Sequence, residues 1–141
     1  MSILLEKAKS IVEQAYGDRV ENGEPYKNHA YRVMAAMDTE EEQIVALLHD
    51  VLEDSEIKLY DLQDAGFSKK VIAAVEDLTK GNAVKYFDYI EDLTMNPLAT
   101  KVKIAELKDN MDAVRVNRMS FKTYTLEDRC QKSLNILEGA E

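Results

Sequence analysis

Residues 44–54, Ile-Val-Ala-Leu-Leu-His-Asp-Val-Leu-Glu-Asp, constrain this chain more than any other stretch. An unbroken apolar run leads into His49, Asp50, Glu53 and Asp54, four side chains that can bind metal or move protons. On a helix, His49 and Asp50 are neighbours about 100° apart, Glu53 lies one turn from both, and Asp54 lies one turn from Asp50. The polar groups form one stripe, and Leu47, Leu48, Val51 and Leu52 cover the rest. A helix that is apolar on most sides is a buried helix. Burying carboxylates and an imidazole is costly unless they are paired or ligate a metal. Two readings follow. His49 is a core histidine paired with Asp50, with Glu53 and Asp54 on a solvated helix end, or the stripe is a site.

The remaining sequence is expected to be helical as well. Ser2 to about Tyr16 keeps Leu4, Ala8, Ile11, Val12 and Ala15 at helical spacing, and Gly17-Asp18 ends it. Val20 to Pro25 reads as a loop with Asn22-Gly23 as its turn, and Pro25 suits the first turn of the next helix. That helix sets His29 on the same side as Val33, Ala36 and Met37, where a core histidine is the ordinary reading. Thr39-Glu40-Glu41-Glu42 fits a capping box for the His49 helix. Lys58 to Ala65 is a short helix stopped by Gly66. Ser68 caps the next, with Val71, Ile72, Val75 and Leu78 inward and Thr79-Lys80-Gly81 at its end. Ala83 to Leu93 is a further helix, whose Tyr86, Phe87 and Tyr89 read as core packing. Asn96-Pro97 opens a long helix reaching about Val116, with Val102, Ala105, Ala113 and Val116 at helical spacing. Glu106, Asp109, Asn110 and Asp112 lie in its middle, and a charged stripe normally faces solvent. A last helix, from Thr123 or Thr125, turns Leu126, Leu134 and Leu137 inward. With no period-2 run of any length, the fold expected is all-α.

Composition narrows the function. A length of 141 residues suits one domain, 1–141, with a real core. A net charge of −9 argues against holding long nucleic acid by charge alone. It leaves a small phosphorylated ligand open, because a divalent cation reverses the sign of a site locally. No apolar run approaches a membrane span, and the first residues lack the basic and apolar pattern of a signal peptide. The single cysteine, Cys130, excludes an internal disulfide and fits a reducing cytoplasm, the expected location. Nothing in the sequence sets an oligomeric state.

The two histidines, the second followed directly by Asp, precede an acidic position on the long helix. This order resembles the HD-domain metal-dependent phosphohydrolases. The local match is closer to the hydrolase domains of the Rel/SpoT kind, which remove the 3′-pyrophosphate of guanosine tetraphosphate, and to their small single-domain relatives. Gly23-Glu24-Pro25-Tyr26-Lys27-Asn28-His29 resembles that group's Gly-Glu-Pro-Tyr-x-x-His. Leu47 to Asp54 resembles its Leu-His-Asp-x-x-Glu-Asp block, and Leu78-Thr79-Lys80 its Val-Thr-Lys. Val102 to Met111 resembles its Val-Lys-Leu-Ala-Asp-x-x-x-Asn-Met. The resemblance covers roughly residues 17–115.

The resemblance implies a helical bundle of about seven to eight helices. It implies one divalent metal on His29, His49, Asp50 and Glu106, with Asp109 as the substitute for Glu106. Mixed imidazole and carboxylate ligands suit Mn²⁺ first, with Fe²⁺, Co²⁺ or Zn²⁺ as alternatives. It gives Glu53 and Asp54 the handling of the attacking water, and sets Arg19, Asn22, Lys103 and Asn110 around a small nucleotide. Three departures stand out. Glu106 replaces the group's Asp ligand, Val20 stands where the group stacks an Arg on guanine nine residues before the first His, and Asp112-Ala113 replace a common Arg and Thr. The leading expectation is hydrolysis of a pyrophosphorylated nucleotide of the guanosine tetraphosphate type. The alternatives are a catalytically weak HD domain that binds a nucleotide as a sensor or sequestering protein, and a helical interaction domain.

Overall fold

The computed structural model describes residues 2–21, 23–116 and 122–139, without the side chains of residues 21, 113–116 and 122–127. Asn22 therefore lies outside the described residues, as do the side chains of Ala113, Val116 and Leu126. The elements run α1 (Ile3–Tyr16), β1 (Val20–Glu21), β2 (Glu24–Pro25), α2 (Lys27–Ala35), α3 (Glu40–Leu48), α4 (Val51–Asp54), α5 (Leu59–Asp64), α6 (Lys69–Leu78), α7 (Tyr86–Leu93), α8 (Pro97–Val116) and α9 (Lys122–Gly139). The architecture is all-α. Counting the single turn α4 with α3, the described residues hold eight helices.

The caps form where short polar residues were placed to make them. Ser2 Oγ accepts from the Leu4 and Leu5 amides, and Ser68 Oγ from the Val71 amide. Thr39 and Glu42 close the capping box in both directions. Asn96 Oδ1 accepts from the Ala99 amide at 3.2 Å, with Pro97 as the first residue of α8. Gly66, at φ +94, ends α5 in a conformation that a Cβ disfavours.

Ile44 to Leu48 are all buried, so the C-terminal half of α3 is enclosed on every side. It packs against α1, α2, α6 and α8, and α9 closes over α8 and α7. Leu134 and Leu137 of α9 are buried. Among the described residues no helix is long and apolar enough to cross a membrane.

Four expectations need correction. The helix bearing His49 is not continuous: α3 ends at Leu48, His49 and Asp50 form a turn, and α4 follows. Asp50 sits at φ −108, ψ −2, and the His49 ring takes the Ala46 carbonyl as its partner. Val20 to Pro25 is a minimal antiparallel hairpin, pairing Val20 with Pro25 and Glu21 with Glu24. Gly23, at φ +78, supplies the left-handed turn residue that such a two-residue loop demands. Pro25 therefore belongs to β2, and α2 starts two residues later, at Lys27. Likewise α7 starts at Tyr86 rather than Ala83, because 81–85 form turns.

Candidate metal centre

Three elements bring four donors together at α3. His29 comes from the first turn of α2, His49 and Asp50 from the turn between α3 and α4, and Glu106 from the middle of α8. One ligand atom from each lies within 4.8 Å of the others, and the two imidazole rings are 5.2 Å apart. His49 is 2% exposed. Its Nδ1 lies 2.5 Å from the Ala46 carbonyl oxygen. A carbonyl only accepts, so Nδ1 carries a proton, and Nε2 is left to hold a second proton or to offer its lone pair to a cation. That Nε2 lies 3.0 Å from Asp50 Oδ2 and 3.8 Å from Glu106 Oε1, yet it is buried with no aligned hydrogen-bond partner. Lone pairs of one nitrogen and two carboxylate oxygens thus converge. This arrangement is repulsive unless a proton or a cation sits among them, and the donor set fits a divalent ion. The same physics appears in the proton affinities. Burial works to lower the His49 pKa, but Asp50 and Glu106 outweigh it and carry it up to about 9. Burial works to raise Asp50, and His49 holds it well below the usual carboxylate range.

Each donor has its own support. Asp109 Oδ2 lies 2.7 Å from His29 Nδ1, so Nδ1 donates there and Nε2 remains as the donor atom of that ring. Arg32 clamps the same carboxylate, Nε to Oδ1 at 2.7 Å and Nη2 to Oδ2 at 3.0 Å, while its Nη1 bonds Glu24. Asp109 is thus turned to α2, and the converging set contains Glu106 instead. Glu106 Oε2 is held at 2.9 Å by Lys103 Nζ, which also sits 5.3 Å from the Tyr89 ring centroid. Both members of that pair are buried, against the expectation that a charged stripe on α8 faces water. Lys103, expected beside the substrate, points into the core at Glu106.

Glu53 and Asp54 flank the cluster one turn beyond Asp50. Glu53 Oε1 accepts the Lys80 backbone N–H at 2.5 Å, and Asp54 Oδ2 accepts the Tyr26 hydroxyl at 2.6 Å. Desolvation pushes both carboxyls above their ordinary values, with the nearby Asp50 charge adding to it. Arg19 stacks over Tyr26 at 4.3 Å and reaches the Asp54 carbonyl at 3.5 Å, so it lies beside this edge. Val20 is 61% exposed on the hairpin, and Asn110 is half-buried one turn after Glu106. Sequence reasoning assigned no role to Tyr26, Arg32 or the Lys80 amide. Tyr26 and Lys80 lie within the quoted motif blocks, which was the available signal. Arg32 carried none, because its partner is 77 residues away.

No family model matches the chain. It is 30% identical over 121 residues to a guanosine-3′,5′-bis(diphosphate) 3′-pyrophosphohydrolase of Aquifex aeolicus, a match covering 79% of this chain and 17% of that protein. The chain thus spans about a sixth of the length of that relative. It also superimposes on a solved structure of a metazoan ortholog of SpoT, described as hydrolysing ppGpp and playing a role in starvation responses. The TM-score is 0.81 at 20% identity, covering 100% of this chain and 89% of the other. The fold is therefore the all-α fold of that structure. The superposition shows the fold, and the sequence match is to a protein whose name carries the activity of the group that the motif blocks resemble.

Proposed function

We propose that this chain is a metal-dependent hydrolase that removes a pyrophosphate from a nucleotide of the guanosine 3′,5′-bis(diphosphate) type. The observation that carries the reading is the buried, unpartnered Nε2 of His49 facing Asp50 and Glu106. His29, His49, Asp50 and Glu106 would hold one divalent ion, with Mn²⁺ proposed first and Fe²⁺, Co²⁺ or Zn²⁺ sharing the donor preference. Residues 1–141 are taken as one such domain, a reading supported by the continuous apolar core.

When bound, the ion supplies positive charge to the phosphoryl oxygens and acidifies a water. The rest of the work falls to the chain. Glu53 and Asp54 orient the attacking water and take its proton, and their raised affinity for protons suits them to that task. Tyr26 occupies Asp54 Oδ2, so the incoming proton is placed on Oδ1. The Lys80 amide fixes the Glu53 rotamer in the same way. Lys103 neutralises one oxygen of Glu106 and keeps the other aimed at His49. Arg19 and Asn110 are the substrate contacts proposed within the described residues, with Asn22 proposed beside them. Exposed Val20 offers no guanidinium to stack on a purine, a contact worth about 0.5–2 kcal/mol, so weaker guanine recognition is expected. The lone cysteine supports a reducing, cytoplasmic setting.

The test is removal of either acid. Glu53→Gln or Asp54→Asn lowers turnover by about 10²–10⁴ while metal content stays at one equivalent. His49→Ala loses both together. Val20 supports one second reading, a domain that binds a nucleotide without turnover, and parental metal content with no product from any guanine nucleotide would establish it.

A further inference from the structure

His29 and His49 are held by different devices. His49 is fixed within its own turn by the Ala46 carbonyl and by complete burial. The side chain of His29 is 20% exposed, and its Nδ1 is fixed instead by Asp109, a residue of α8. A carboxylate on one bond can rotate, but Asp109 does not have that freedom. The guanidinium of Arg32 takes both of its oxygens, at 2.7 and 3.0 Å. Arg32 lies three residues after His29 on α2, so ring and guanidinium project from one helix face onto the same carboxylate. A planar two-point donor sets the plane of a carboxylate in a way that an ammonium cannot.

We propose that Arg32 is a positioning residue for the metal centre, acting through Asp109 on His29. The proposal rests on the metal-centre reading given above. The clamp does two things. It keeps Asp109 accepting from His29 Nδ1, which fixes the ring with Nε2 toward the other donors. It also keeps Asp109 from swinging in as a further ligand. Groups that orient a ligating histidine in this way commonly change metal affinity by 10–100-fold when removed.

The experiment is a calorimetric titration of Mn²⁺ into the metal-stripped full chain, with Co²⁺ absorption as a spectroscopic record of the ligand field. Asp109→Asn and Arg32→Gln are each expected to weaken Mn²⁺ binding by about 10–100-fold. Their double variant is expected to be no weaker than Asp109→Asn, because Arg32 acts through Asp109. Arg32→Lys keeps the charge but not the fork, and is expected to fall short of parental affinity. The Co²⁺ spectra of these variants should shift from the parent. A merely structural ion pair would lower the melting temperature of the stripped protein and leave both metal readouts unchanged, and that result overturns the proposal. Tighter binding by Arg32→Gln also overturns it, since Asp109 would then be a ligand that Arg32 restrains. If Arg32→Gln does not fold, Arg32→Lys decides, and parental affinity there is refutation. His49→Ala separates the two levels: if it too binds at parental affinity, the metal-centre reading is what has failed.

Discussion

Replacing Lys103 by Met removes the ammonium 2.9 Å from Glu106 Oε2 and keeps most of the apolar stem. Lys103 is 8% and Glu106 7% exposed, so water cannot stand in for the lost charge. Burial works against the Lys103 ammonium, yet Glu106 raises its pKa above the ordinary lysine value, so Lys103 is charged at neutral pH. Breaking a buried pair by deleting one partner costs about 3–5 kcal/mol, because the other charge stays behind. At roughly 3–4 °C per kcal/mol for a chain of this size, the metal-free variant should melt about 9–20 °C below the parent. The sign reverses for metal. The variant centre carries one more uncompensated negative charge, so a divalent ion binds it more tightly. The gap in melting temperature should therefore narrow in saturating Mn²⁺. Differential scanning calorimetry with and without Mn²⁺ reads both effects. A metal-free loss below about 1 kcal/mol, or the same gap in both conditions, refutes the assignment of Lys103 as the counter-charge of Glu106.

Three further outcomes follow from the same geometry. Tyr26→Phe removes a hydrogen bond to a carboxylate, worth up to about 1.5–3 kcal/mol, and the acid limb of the pH–rate profile should move to higher pH because that bond holds the Asp54 pKa down against burial. The Asp54 pKa is raised on folding, so between 3.8 and its folded value the folded state binds more protons than the unfolded state. Its contribution to stability falls as pH rises through that window, and more steeply in Tyr26→Phe, which urea melts across pH should show. Thr39→Ala breaks the capping box that starts α3 and should cost about 1 kcal/mol in urea melts with no change in metal stoichiometry.

The fold was legible because its signals are local. Ser2, Thr39, Ser68 and Asn96 each cap the helix they precede, and Gly66 stops the one before it. The hairpin was half-legible: Asn22-Gly23 announced a turn, but two-residue strands are too short to show alternation. The donors that converge at α3 were reached through their motif blocks, whereas the holding roles of Lys103, Asp109 and Arg32 were not. Lys103 read as a substrate contact because helical spacing gives no depth, and burial of α8 between α3 and α9 is set by packing far away in sequence. Arg32 and Asp109 meet across 77 residues, and a surface arginine on an amphipathic helix looks like any other. The break at His49–Asp50 escaped periodicity because both residues keep near-helical dihedrals.

The most direct test of the central claim is release of pyrophosphate from guanosine 3′,5′-bis(diphosphate) by the metal-stripped chain reconstituted with Mn²⁺, run beside His49→Ala with metal content measured on the same samples. The account predicts one equivalent of metal and steady release by the parent, and neither from His49→Ala. Micromolar binding of the nucleotide without product under Mn²⁺, Fe²⁺, Co²⁺ or Zn²⁺, or full metal content in His49→Ala, would contradict it.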